Sequence, residues 1–392
     1  MGVAGIIVEY NPLHNGHIEH LEDTKRLTGC NRIVAVMSGN FVQRGEPAIC
    51  DKWRRTRMAL MAGVDVVIEL PLGYVLSGAD YFARGAVGIL DACGIVNTIC
   101  FGSESGNMDA IRQAAEILAR EPAEFREILK DGLSKGLSYA AAKGAALEGT
   151  FKGLSLPEGL LTRPNDGLGI EYVKAMLLLD SKMGVFTSHR IVKTTASGVR
   201  KAVLKEEDFS EDMPEYAYEI LNEGARNEGL ASPDGLSDIF RYLLFTLPPD
   251  RIVLGEGLEN RFRRFAGEYG SMKEIIDAVK TKRYTRTRLQ RAAMRIILGL
   301  ENKPAEPAYI RVLGFRKNAH DLVGEMTRKT SLPVITNLHK GTMSELSAEG
   351  QAMLTKELEA GAVYKLALGF PNRHMRKSPK INHEWSNPLI II

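Results

Sequence analysis

Two histidines, His14 and His17, flank Asn15-Gly16 at the end of the run Glu9-Tyr10-Asn11-Pro12-Leu13-His14-Asn15-Gly16-His17. The run lies between an apolar strand-like segment, Val3 to Glu9, and a helix expected from about His17. Two imidazoles and a helix N-terminus then surround one point. Backbone N–H groups and the positive helix end favour an anion such as phosphate, and the imidazoles donate to charge developing on it. An ordinary loop with two surface histidines has the same spelling. A metal site fits less well, because no further His, Cys or acid lies nearby at ligand spacing.

A second place for chemistry is Thr194-Thr195-Ala196-Ser197-Gly198-Val199-Arg200-Lys201. Hydroxyls, backbone amides and an arginine fork at a helix start form a phosphate cradle, although Ser and Thr are also the usual N-caps. A third is basic. After Lys282-Arg283-Tyr284-Thr285-Arg286, the apolar residues Leu289, Ala292, Ala293, Ile296, Ile297 and Leu300 recur at offsets of 3, 4, 7, 8 and 11, which predicts an amphipathic helix. Arg288, Arg291 and Arg295 share its other side without acidic partners one turn away. Such a helix docks by its apolar side and offers cations to RNA phosphates; a solvated basic face is the plainer alternative. Arg373, Arg376, Lys377 and Lys380 extend this expected basic surface.

Short apolar runs separated by helical segments position these residues. Strands are expected at Val3–Glu9, Arg32–Met37, Val64–Leu70 and Thr98–Phe101, with helices from His17, over Lys52–Ala62 and over Ala83–Cys93. This alternation implies parallel βαβ units in a doubly wound sheet. Ligands of such sheets bind beyond the carboxyl ends of the strands, here the loops 9–17, 38–45, 69–74 and 102–106. A helix opening at Arg163-Pro164-Asn165-Asp166 and a late strand from Gly184 to Val192 follow. We expect a catalytic domain over residues 1–205 and a mainly helical region over 206–392, with a small β-α-β unit near 309–338.

The 392 residues suffice for two or three domains, and 44 % apolar with 25 % charged residues is ordinary globular composition. No run approaches the roughly 20 apolar residues of a membrane span, no secretory leader is expected, and no CxxC pair is present. A reducing, cytoplasmic setting is therefore expected. The net charge of +3 hides a dipolar chain: residues 206–235 carry ten acids against Arg226, while 281–340 carry thirteen Lys or Arg against four acids.

His14-Asn15-Gly16-His17 with Thr195-Ala196-Ser197-Gly198-Val199-Arg200 resembles the HxGH and ISSTxIR motifs of the nucleotidylyltransferase superfamily, with Thr195 standing where a serine is usual. Val8-Glu9-Tyr10-Asn11-Pro12, Ser38-Gly39-Asn40-Phe41, Gln43-Arg44-Gly45-Glu46-Pro47, Glu69-Leu70-Pro71 and Phe101-Gly102-Ser103-Glu104 are similar, in order, to the bacterial tRNA(Met) cytidine acetate ligase family. The resemblance implies a HUP-type, Rossmann-like α/β domain that activates acetate with ATP as acetyl-adenylate and acetylates N4 of the wobble cytidine of elongator tRNA(Met). It implies catalysis by His14 and His17. It implies ATP contacts from Ile7, Val8, Glu9, Tyr10, Asn11, Pro12, His14, Asn15, Gly16, His17, His20, Gly102, Asn165, Arg190, Thr195, Ser197 and Arg200. Mg²⁺ carried on the ATP phosphates is expected, with no resident metal site. The expected RNA contacts are Lys282, Arg283, Arg286, Arg288, Arg291 and Arg295. The alternative is a small-molecule nucleotidylyltransferase that makes a nucleotide cofactor without RNA.

Overall fold

The structure, a computed structural model, describes residues 2–137, 139–151, 159–190, 194–248, 252, 254, 257–301, 303–339, 341–369 and 383–392. The chain opens with β1 (Val3–Val8), α1 (Asn15–Thr28), β2 (Arg32–Ser38), a hairpin of β3 (Phe41–Val42) and β4 (Glu46–Pro47), α2 (Lys52–Met61) and β5 (Val66–Leu70). Helices α3 (Leu72–Val75) and α4 (Ala79–Ala92) lead to β6 (Thr98–Ser103). Three helices, α5 (Met108–Arg120), α6 (Ala123–Ser134) and α7 (Tyr139–Thr150), precede α8 (Pro164–Leu178), β7 (Gly184–His189) and α9 (Ala196–Leu204).

Beyond these come α10 (Glu215–Asn227), β8 (Leu230–Ala231), α11 (Ser237–Thr246), α12 (Leu258–Glu268), α13 (Met272–Val279) and α14 (Arg286–Leu298). The chain then returns through β9 (Ile310–Phe315), α15 (His320–Lys329) and β10 (Val334–Ile335) to α16 (Ala348–Leu366), β11 (Leu368–Gly369), α17 (His383–Ser386) and β12 (Ile390–Ile391).

The main sheet runs β10-β9-β5-β2-β1-β6-β7, with β12 also pairing β9. The first five βα strands are parallel, and the order reverses between β1 and β6, which opens a crevice at their carboxyl ends. Ile33, Ala35 and Met37 face one core, while Val34 and Val36 face the other, the two-residue alternation of a strand buried on both faces. Pro122 and Gly136 divide what the composition reads as one helical stretch into α5, α6 and α7.

The expected β-α-β unit forms, yet its strand β9 pairs antiparallel with β5 and so extends the first sheet. The expected division at residue 205 does not separate two cores. Phe209, Met213, Ala217 and Leu221 of the acidic segment pack in one cluster with Tyr10 and Leu13. The acids around them stay outside because only the apolar stripe of α10 meets α2. A separate helical core joins α11, α12, α13, α14 and α16.

A buried ion cluster ties the end of the chain to the sheet. Lys52 Nζ lies 2.7 Å from Glu69 and 2.9 Å from Glu384, and Arg311 lies 3.0 Å from Glu69 and 2.9 Å from Glu384. Lys52 and Arg55, charged residues of the expected helix Lys52–Ala62, are both buried because the first turn of α2 points into the strand ends.

Candidate active site

A cleft of about 420 Å³ opens where the strand order reverses, over the carboxyl ends of β1 and β6. Its walls include Ile7, Val8, Glu9, Tyr10, Asn11, His14, Gly16, His17, His20, Gly102, Asn165, Arg190, Thr195, Ser197 and Arg200. Two expected nucleotide residues do not line it: Pro12 belongs to the buried turn beneath, and Asn15 points away to donate to the Glu211 carbonyl at 2.8 Å.

The two histidines form the cap of α1. Gly16 N–H donates to His14 Nδ1 at 3.1 Å, and His14 N–H donates to His17 Nδ1 at 3.1 Å. The rings stack with centroids 3.7 Å apart, and Tyr10 meets His17 edge-on. A δ-nitrogen that accepts a backbone hydrogen carries none while the ring is neutral, so each Nε2 holds the hydrogen as a donor. Burial, with Arg190 nearby, pushes His14 down to about 4. Burial lowers His17 well below its ordinary range, with the neighbouring His14 and Arg190 adding to this, and pushes His20 down to about 4. The site is thus two neutral donors at a positive helix end, built to receive negative charge.

The opposite wall is a chain of polar contacts. Arg190 donates to Asn165 Oδ1 at 3.0 Å, and its aliphatic stem covers Gly102, where a Cβ would come within 2.7 Å of Arg190 Cδ. Asn165 Nδ2 donates to Glu104 at 2.7 Å, and the Asn165 and Asp166 backbone N–H groups at the start of α8 also donate to that carboxylate. Asp166 is buried and accepts from Ser103 and Ser105. Glu104 and Asp166 therefore orient Asn165 and Arg190 without sequence reasoning having singled them out.

On the third side, Thr195 caps α9 by accepting from Gly198 N–H at 3.1 Å. Arg200 donates to the Asn11 carbonyl at 2.7 Å and lies 3.3 Å from Glu46. Sequence reasoning missed the lining residues Gln43, Phe82, Phe101, Leu168 and Tyr172. The β3–β4 hairpin that brings Gln43 and Arg44 here begins in the strand-end loop 38–45, which was the available signal.

The basic helix is real, but its arginines divide. Lys282, Arg283 and Arg288 are exposed, with Arg288 over the Tyr284 ring. Arg286 pairs with Asp277. Arg291 and Arg295 do not face solvent as expected: Arg291 donates to the Gln43 carbonyl and Arg295 to the Leu76 carbonyl, each at 3.1 Å. The side of α14 opposite its apolar stripe rests on the loops of the sheet. Arg373, Arg376, Lys377 and Lys380 lie outside the described residues.

A doubly wound sheet with HxGH at the first helix start defines the class, and the sequence pattern of the HIGH Nucleotidyl Transferase family matches residues 1–378. Curated relatives named tRNA(Met) cytidine acetate ligase include one from Acetivibrio thermocellus, 39 % identical with 100 % of both chains covered. Another, from Clostridium novyi, is 38 % identical over 90 % of this chain and 94 % of its own. The crystal structure of Thermotoga maritima TmcAL bound with alpha-thio ATP matches with a TM-score of 0.93 at 32 % identity over 100 % of both chains. The chain belongs to the tRNA(Met) cytidine acetate ligase family of HIGH nucleotidyl transferases.

Proposed function

We propose that the protein activates acetate with ATP as acetyl-adenylate, releasing pyrophosphate, and transfers the acetyl group to N4 of the wobble cytidine of elongator tRNA(Met). The observation that carries this reading is the cleft itself, in which a neutral histidine pair at a helix N-terminus faces Arg190 and Asn165 across the reversal of the sheet. The relatives' name, tRNA(Met) cytidine acetate ligase, supports tRNA(Met) and acetate as the substrates. ATP lies along residues 7–20 with its phosphates at His14 and His17 and its nucleoside toward Gly102, Asn165 and Arg190.

Acetate is already a nucleophile, so adenylation needs in-line positioning and stabilisation of charge on the α-phosphate and the leaving pyrophosphate. The Nε2–H donors, the α1 dipole and Arg190 meet that need. Mg²⁺ enters on the triphosphate. Lys282, Arg283 and Arg288 supply phosphate contacts to the tRNA, and Arg291 and Arg295 hold α14 against the cleft. No helix among the described residues is long and apolar enough to cross a membrane. A tRNA substrate supports a cytoplasmic location.

The test is pyrophosphate exchange into ATP. It should depend on acetate and fall at least a hundredfold in His14→Ala or His17→Ala. Incubation with ATP, acetate and total bacterial tRNA should yield N4-acetylcytidine by nucleoside mass spectrometry. Exchange that ignores acetate would refute the substrate.

A further inference from the structure

We propose that Glu9 is the base that accepts the N4 proton of cytidine during acetyl transfer, an inference that rests on the reading above. Glu9 follows the last residue of β1 and lines the cleft, five residues ahead of His14. Its side chain turns toward the β3–β4 hairpin, where Gln43 N–H donates to Oε1 at 2.6 Å. No second hydrogen bond to the carboxylate and no ion pair within 4.0 Å is found among the described residues, with Arg55 and Arg44 acting on it from farther away. A carboxylate is a costly neighbour for ATP and acetate, both anions, and a cation would ordinarily be paired with it.

Two of the three cations nearby are held by other groups, and Arg44 acts on the carboxylate only at longer range. Arg55, fully buried on α2, donates to the carbonyls of Glu9, Ser38, Gly39 and Cys50. Arg200 on α9 holds Asn11 and Glu46. Arg44 and Glu46 of the hairpin and Tyr172 of α8 complete the charged and titratable groups around Glu9. Burial raises the Glu9 carboxyl above its usual range, the direction that makes it a better base near neutral pH.

The hairpin also locates the second substrate. Gln43 holds Glu9 through its N–H and receives Arg291 of α14 through its carbonyl, so one residue joins the basic helix to the carboxylate. Gly45 packs so closely on α14 that a Cβ would sit 2.3 Å from the Arg291 nitrogen. ATP runs along residues 7–20 and the β6 and β7 ends, which leaves the Glu9 carboxylate, turned toward the hairpin, for an RNA base arriving along α14. There the N4 lone pair attacks the acetyl carbon and forms the amide bond. The acyl–oxygen bond to AMP breaks with its electron pair leaving on the phosphate oxygen, and the N4 proton passes to the Glu9 carboxylate.

The experiment is a single turnover in which enzyme preloaded with ATP, Mg²⁺ and acetate meets tRNA. In Glu9→Gln, transfer should fall roughly 10²–10⁴-fold with acetyl-adenylate accumulating, a larger loss than any in pyrophosphate exchange, which Glu9 also touches through its place among the ATP contacts. The wild-type transfer rate should rise with pH through a carboxylate range shifted upward, and that rise should vanish in the variant. Equal loss in both steps, or transfer within about threefold of wild type, would overturn the proposal. If Glu9→Gln shows no exchange because it misfolds, Glu9→Asp decides: a slower transfer that still rises with pH supports the base, and a flat profile refutes it. Wild-type protein that makes no N4-acetylcytidine would instead sink the functional reading.

Discussion

Acid should loosen this protein through His14, by an amount its surroundings set. The ring is 1 % exposed, accepts from Gly16 N–H and sits beside Arg190, so its pKa falls from the ordinary 6.5 to about 4. A group whose folded pKa is depressed contributes its stability above the unfolded pKa and loses it as pH falls toward the folded one. Integrating that difference between pH 7.5 and pH 5 gives a loss of about 2 kcal/mol from His14 alone. His14→Asn provides the control, since an asparagine oxygen caps a helix and does not titrate. Urea unfolding of both proteins at the two pH values measures the difference in acid sensitivity. Saturating Mg–ATP should shrink it, because phosphate charge beside the ring favours its protonated form. Equal losses in wild type and His14→Asn would refute the buried neutral imidazole, and with it the account of the donors that meet the phosphates.

Other perturbations read other parts of the structure. Gly45→Ala places a methyl group 2.3 Å from the Arg291 nitrogen at a residue with φ of 79°, and should cost about 1–3 kcal/mol by thermal or urea melting. An unchanged melt would mean that the hairpin and α14 part freely. Lys52→Met strips Glu69 and Glu384 of a shared cation and should destabilise by about 3–5 kcal/mol; a loss under about 1 kcal/mol would contradict the cluster. Gly102→Ala should push Arg190 off Asn165 and raise the KM for ATP about tenfold, the worth of one hydrogen bond, with kcat changing less. Lys282→Ala or Arg288→Ala should each lower the salt dependence of tRNA binding by roughly one phosphate contact without altering acetate-dependent exchange.

Much of the catalytic half was legible from its residues. Buried strands announce themselves as short apolar runs, and the His14–His17 pair, the Thr195 cap and the Asn165 helix start are local signals that survive folding unchanged. Local patterns do not report what a side chain meets across the sheet. Lys52 and Arg55 look like a solvated basic helix, yet the turn of α2 aims them at Glu69 and at the carbonyls ending β1 and β2. Arg291 and Arg295 share the basic side of α14 with Arg288, but that side is divided between solvent and the loops beneath it.

The sequence by itself determined the order of strands and helices, the loop that carries the histidines and the presence of a basic amphipathic helix, because each is encoded within about a dozen consecutive residues. Only the tertiary structure decided that β9 returns to the first sheet, that Glu384 closes an ion cluster begun by Lys52, and that Gln43 stands between Glu9 and Arg291. Most of those contacts join residues hundreds of positions apart. They form because burying charge requires a partner and burying a sheet edge requires another strand, and the chain supplies whichever one its packing brings there.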